Sequence, residues 1–349
     1  MSVPTLDGIY PQSVSTRRLT TRVLFSGPDD GIPVLFVHGN VSSATFWEET
    51  MLALSDGFRG IAPDLRGFGE ADPAQKIDAT RGMGELSDDL VALLDHLGIE
   101  RAHVVGHSLG GGAVWHLMMD APDRILTVTQ AAPGSPYGFG STRDVNGTPA
   151  YDDFAGSGAG LTNPELIRLI TESDRSADNQ FSPLNVLNAS YFKPPFKAAR
   201  EDAFVESMLT LHLGEQDYPG DSVPSNNWPG TAPGVWGPNN ATSPKYADDP
   251  ARLFAIDPKP PVLWIRGADD LIVSDTSMAD AGTLGAMGLI PGWPGAEVFP
   301  SQPMIGQIRA VLEQYGAFEE VVFEDCGHSP YIEKPDEFSR VFHAHIGAI

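Results

Sequence analysis

Residues 102–120 read AHVVGHSLGGGAVWHLMMD, and in them Ser108 stands between Gly106 and Gly110 just where an apolar run gives way to a helical pattern. Gly-x-Ser-x-Gly alone is a weak signal, because a serine that merely caps a glycine-rich helix satisfies it equally well. The setting sharpens it. A strand before the motif and a helix after it place the serine on a sharp, strained turn with its hydroxyl exposed. Glycine at 106 and 110 removes a Cβ where the backbone must pass close to neighbouring chain. The helix N-terminus beyond the turn aims free N–H groups at any negative charge that develops there.

A serine hydroxyl is a poor nucleophile at neutral pH. It needs a base, and the base needs an acid to orient it. Of the nine histidines, His328 in FEDCGHSPYIEKP is the best placed, since it follows a strand end and sits in a loop marked by Gly327 and Pro330. The others have duller settings: His96, His116, His343 and His345 on helices, His103 and His107 beside the strand entering the turn, His38 closing another strand, and His212 in a loop-rich region. For the acid, RGADDLIV follows the strand PVLWI and offers Asp269 and Asp270. Both would lie at the C-terminal edge of a strand, where open parallel sheets collect their chemistry. Side chains of neighbours alternate in extended chain, so only one of the two can face His328. The chain order Ser, Asp, His is the one expected for a strand–turn–helix nucleophile.

These loops need a frame. Short apolar runs at 33–39, 58–64, 102–107 and 125–133 alternate with helical patterns at 84–98 and 110–120. That alternation predicts a mostly parallel sheet flanked by helices, an α/β fold. From 134 to 258 the rhythm breaks into Pro, Gly, Asn and aromatic residues, with helical pieces at 163–171 and 199–214. It returns with a strand at 260–267, a helix at 302–316, a strand at 318–327 and a helix at 335–346. The reading is a core in two segments, 1–133 and 259–349, with 134–258 inserted as a lid over the catalytic edge. The lid is expected to govern which substrates are accepted more than it governs the chemistry itself.

Composition narrows the partners. A formal charge of −24 points away from nucleic acid, whose binders cluster Lys and Arg. The single cysteine, Cys326, cannot form an intrachain disulfide. No run reaches about 18 apolar residues, so no membrane partner is expected. The first residues, MSVPTLDGIYPQSVSTRR, have neither a basic start nor an apolar stretch, which reads as cytoplasmic. No Cys/His cluster has zinc spacing, and no metal or cofactor is expected. A small-molecule substrate fits the composition best, while the oligomeric state has no signature in it.

Taken together, VLFVHGN (34–40), APDLRGFGEADP (62–73), VVGHSLGGG (104–112), GADDLIV (267–273) and CGHSPYIEKP (326–335) resemble the α/β-hydrolase family in its capped, esterase-like branch. The resemblance implies Ser108 as nucleophile, His328 as base and, through the spacing from Gly267, Asp270 as acid. It also implies an oxyanion hole from the backbone N–H groups of Asn40 and Leu109. Two departures stand out: EAD after RGFG, where relatives often carry a serine, and a long stretch at 274–317 that could bring Trp293 and Phe299 near the pocket. HGN is similar to haloalkane dehalogenases and epoxide hydrolases, whose nucleophile is an aspartate. With serine, alkyl transfer would end in a stable ether, so acyl transfer to water is the expected reaction. The implied function is a serine carboxylesterase or lactonase acting on a medium-sized apolar or aromatic substrate. Trp228, Trp236, Tyr137 and Trp293 are candidates for its pocket. The alternatives are a carbon–carbon bond hydrolase of a ring-cleavage pathway and a slow-turnover small-molecule receptor. The former would need a basic residue for a substrate carboxylate, with Arg143, Arg168, Arg175, Lys193, Lys197 and Arg200 available.

Overall fold

A computed structural model describes residues 3–348. Eight strands form one sheet: β1 (Tyr10–Ser15), β2 (Thr20–Ser26), β3 (Ile32–Val37), β4 (Phe58–Pro63), β5 (Ala102–His107), β6 (Ile125–Ala131), β7 (Val262–Gly267) and β8 (Phe318–Phe323). Their spatial order is β1-β2-β4-β3-β5-β6-β7-β8. β1 and β2 run antiparallel, as do β2 and β4, and every later pairing is parallel. The sheet is mostly parallel, as the apolar rhythm predicts, and has the arrangement that the resemblance to α/β-hydrolases implies.

Continuous apolar runs become central strands because both of their faces are covered. Every residue of β5 is buried, as are Val34 to Val37 of β3 and Val262 to Ile265 of β7. The edges read differently. β8 carries Glu319 and Glu320 and is only partly buried, and β1 begins Tyr10-Pro11 and is mostly exposed, so neither edge invites further pairing. Trp47, Trp115 and Trp264 are among the largest fully buried side chains. Each large apolar side chain so removed from water contributes roughly 1.5–3 kcal/mol before the entropy of ordering is charged against it.

Six helices matter for the site: α1 (Gly84–His96), α2 (Leu109–Asp120), α3 (Pro164–Thr171), α4 (Glu201–Leu209), α5 (Met304–Tyr315) and α6 (Pro335–Ile346). α2 starts directly from β5 through Ser108, and nine of its residues are buried because it lies in the middle of the layer. α3 starts at Asn163, whose side chain accepts a hydrogen bond from the Glu165 backbone N–H, with Pro164 at the first helical position.

Between β6 and β7 the chain leaves the sheet for residues 132–261 and forms α3, α4 and two small ladders, 213–214 with 218–219 and 222–224 with 231–233. Residues 268–303, between β7 and α5, make a second excursion that packs on the first. Phe299 meets Trp228 and Tyr151 edge-on or tilted, at ring-centroid distances of 4.9 and 5.7 Å. The Gln302 side chain accepts from the Gly140 N–H at 2.6 Å and donates to the Gly138 carbonyl at 2.9 Å.

Candidate active site

Ser108 occupies the junction of β5 and α2 with φ 55° and ψ −119°, a backbone conformation that side-chain-bearing residues adopt only when surrounding structure compels them. Three glycines make the junction possible. A Cβ on Gly110 would lie 2.4 Å from the carbonyl oxygens of Val37 and His38, and one on Gly106 would lie 2.8 Å from Gly111 Cα. A Cβ on Gly39 would come within 3.1 Å of Ser108 Cβ. The loop after β3 and the serine turn are therefore in direct contact.

Asn40 follows Gly39 in that loop. Among the described residues, neither the Asn40 nor the Leu109 backbone N–H donates to a protein acceptor. For Leu109 this follows from its place in the first turn of α2. The loop is held from beneath by His38. Its Nε2 accepts from the Leu65 N–H at 2.9 Å, so Nδ1 carries the proton and donates to the Gly39 carbonyl at 2.8 Å. Burial pushes the His38 pKa down to about 4, which keeps the ring neutral.

His328 and Asp270 meet across β7 and β8. His328 Nδ1 lies 2.8 Å from Asp270 Oδ2, and both side chains are buried. Asp270 Oδ1 accepts from the backbone N–H groups of Ile272 and Val273, at 2.7 and 3.0 Å, which fixes the carboxylate. A histidine that donates from Nδ1 presents a lone pair at Nε2. Asp269, by contrast, is exposed and pairs with Lys193 at 2.8 Å. Among the described residues no hydrogen bond joins the Ser108 hydroxyl to His328. In unliganded enzymes such bonds are often long and tighten on substrate binding.

Two further residues hold the histidine loop. Glu333 accepts from the N–H groups on either side of His328, those of Gly327 at 3.0 Å and Ser329 at 3.3 Å, and from the Lys193 N–H at 2.8 Å. His107 Nε2 lies 2.9 Å from the His328 carbonyl and donates to it. Burial first, and then the neighbouring His328, hold the His107 pKa well below the usual imidazole range. Cys326 is buried nearby, and burial pushes its thiol pKa up, which removes it as a nucleophile. Among the described residues no group of three or more His, Cys, Asp or Glu could hold a metal ion.

Each of the aromatic candidates has partners of its own. Trp228 packs on Phe299 and donates from its indole to the Pro291 carbonyl at 2.8 Å, and Trp293 donates to the Phe299 carbonyl at 2.9 Å. These residues join the two excursions to each other. Trp236 lines an open cleft of about 610 Å³ with Lys76, Glu215, Gln216, Asp217 and Asp221. Tyr137 lies over Gly147. Beside His328 lies Tyr191, its ring 5.8 Å away edge-on and 6.3 Å from Phe46. The Tyr191 hydroxyl donates to the Asn40 carbonyl at 2.7 Å, and Asn40 Nδ2 donates to Asn239 Oδ1 at 2.8 Å. No local signal marks Tyr191 or Asn239, because they meet Asn40 across 151 and 199 residues.

Comparison with known proteins agrees with this architecture. By sequence the chain is similar to epoxide hydrolase 2 of Siraitia grosvenorii, 37% identical over 152 residues, covering 43% of this chain and 47% of that protein. It is also similar to carboxylesterase YbfK of Bacillus subtilis, 30% identical over 124 residues, covering 36% of this chain and 41% of the relative. The chain thus spans less than half the length of these curated relatives. By structure it is similar to a serine hydrolase from the polyaromatic-hydrocarbon-degrading bacterium Cycloclasticus zankles, with TM-score 0.64, 17% identity, and 98% and 99% of the two chains covered. The 2-hydroxy-6-oxo-6-phenylhexa-2,4-dienoate hydrolase of Rhodococcus sp. strain RHA1 superposes with TM-score 0.60 at 18% identity, covering 97% and 99%. At such identities the two superpositions speak to fold alone. Among the described residues no helix is long and apolar enough to cross a membrane. A family model described as alpha/beta hydrolase fold matches residues 32–291, most of the chain, and with the sheet order above it establishes that this protein belongs to the α/β-hydrolase family.

Proposed function

We propose that the protein is a serine hydrolase cleaving a carboxylic ester or lactone of a medium-sized apolar or aromatic substrate. The observation that carries this reading is the buried 2.8 Å contact between Asp270 and His328. A carboxylate held by two backbone N–H groups fixes the imidazole in the tautomer whose Nε2 can accept a proton. In the proposed cycle His328 takes the Ser108 hydroxyl proton as the oxygen attacks the acyl carbon. The tetrahedral oxyanion is received by the N–H groups of Asn40 and Leu109. His328 then protonates the leaving alkoxide, which departs with the C–O bond electrons. Water, deprotonated by the same imidazole, releases the acid from the acyl-enzyme. The segment 134–258 acts in this reading as a lid over the site.

An uncharged substrate is favoured over the anionic diketone of a carbon–carbon bond hydrolase. Most of the lid's basic residues are already paired: Arg168 with Glu165 and Glu172, Arg175 with Glu206, Lys193 with Asp269 and Asp325, and Arg200 with Glu48. A panel of p-nitrophenyl esters, aryl lactones and a vinylogous 1,5-diketo acid tests the assignment. Turnover of esters or lactones with kcat/KM well above that for the diketo acid is expected. Preference for the diketo acid contradicts the ester reading, and binding without turnover of any member makes the protein a receptor.

A further inference from the structure

The division of labour between a chemical core and a selective lid breaks down at Asn40. Its carbonyl accepts from the Tyr191 hydroxyl at 2.7 Å, and its side chain donates to Asn239, which in turn donates to Thr162 at 2.8 Å. Tyr191, Asn239 and Thr162 all come from the segment between β6 and β7. The next residue, Val41, sits at φ 44°, in the left-handed region that a β-branched side chain enters only under constraint. The Val41 N–H is turned onto Asn40 Oδ1 at 3.1 Å. The Asn40 N–H itself donates to no protein acceptor among the described residues.

We propose that Tyr191 and Asn239 are positioning residues that clamp Asn40 from above and so hold its backbone N–H in the oxyanion-binding direction. The inference rests on the serine-hydrolase reading above and extends it. Tyr191 suits the task because it is buried, which keeps the phenol protonated, and its ring is fixed between Phe46 and His328. Its hydroxyl proton goes to the Asn40 carbonyl and not to His328, so it acts through the backbone and takes no part in proton transfer. The lid is thereby a structural component of the oxyanion hole.

The test is Tyr191→Phe, which keeps the ring and deletes the donor, with Asn239→Ala as a second variant should the first fail to fold. Turnover of p-nitrophenyl butyrate and inhibition by an alkyl trifluoromethyl ketone are measured beside Ser108→Ala. A hydrogen bond of ordinary net strength predicts a fall in kcat of about 10-fold, less than the roughly 10²–10³ expected when an oxyanion donor is lost outright. KM should be little changed, and trifluoromethyl ketone affinity should fall by the same factor as kcat while the matching methyl ketone binds as before. Wild-type kcat and ketone affinity, or a change in KM alone, overturn the clamp when Ser108→Ala is inactive. Turnover surviving in Ser108→Ala overturns the serine-hydrolase reading and the clamp with it.

Discussion

His328 Nδ1 and Asp270 Oδ2 stand 2.8 Å apart inside the protein, while Asp269, one residue earlier, points outward to Lys193. The turn that follows β7 separates two chemically identical carboxylates into one that faces the imidazole and one that faces solvent. Asp270→Asn should lower kcat by at least about 10²-fold, since the comparable change in a serine protease costs about 10⁴. Asp269→Asn should cost far less, because it removes a half-exposed ion pair of modest worth. Steady-state kinetics of the two variants decide, and the reverse order would move the orienting role to Asp269.

Glu333 collects three backbone N–H groups, from Gly327, Ser329 and Lys193, in a buried position. Glu333→Ala leaves these donors without a partner, a loss of about 1–3 kcal/mol for each that stays dry. The expected outcome is a lower thermal midpoint together with reduced kcat, since the loop carrying His328 loses its anchor. A variant as stable and as active as the wild type would show that water replaces the carboxylate without consequence.

Gly110 and Gly112 are close in sequence but face opposite surroundings. A Cβ at 110 meets the carbonyls of Val37 and His38 at 2.4 Å, and backbone cannot step aside, whereas at 112 the nearest atom is Met83 Cγ at 3.3 Å, on a flexible side chain. Gly110→Ala should push α2 from β3, cost about 1–3 kcal/mol or more and displace the Leu109 N–H. Gly112→Ala should be close to neutral, with the helical preference for alanine, about 1 kcal/mol, offsetting a small shift of Met83. Thermal melts and kcat of the pair check the order.

Asp280 caps the short helix at 281–286 and is buried, with one oxygen receiving the N–H groups of Thr283 and Gln302 and the other unpartnered. Burial pushes its carboxyl pKa from 3.8 up to about 6. The folded state thus holds the proton more tightly than the unfolded chain. The favourable contribution is complete below about pH 4 and disappears as pH rises through about 6, a swing of about 3 kcal/mol at most. Asp280→Asn, neutral at every pH, should raise the thermal midpoint at about pH 7.5, and the gain should vanish near pH 4. A gain that is the same at both pH values would contradict this.

The parts of the molecule legible in the sequence are those with local signatures. β3, β5 and β7 are continuous apolar runs, Ser108 is announced by glycines that sterics demand, and Asp270 and His328 sit in loops directly after strands. Tyr191 and Asn239 carry no such mark, because their meaning lies in contacts to Asn40 at separations of 151 and 199 residues. Aromatic type alone points to Trp228 and Trp293, and both meet Phe299 where the two excursions join. The contacts of the segment between β6 and β7 with the rest of the chain are likewise long-range. Through Tyr191 that segment bonds to Asn40, and through the Lys193 N–H to Glu333, which also holds the loop of His328.

The central claim is that Ser108 is the nucleophile of an acyl-transfer reaction. Its most direct test is intact-protein and peptide mass spectrometry after treatment with a fluorophosphonate, run on wild type and on Ser108→Ala. The predicted result is one phosphonyl group per chain on Ser108, loss of p-nitrophenyl butyrate hydrolysis in step with labelling, and neither labelling nor turnover in the alanine variant. Full hydrolysis by Ser108→Ala, or stoichiometric labelling at another residue, would contradict it.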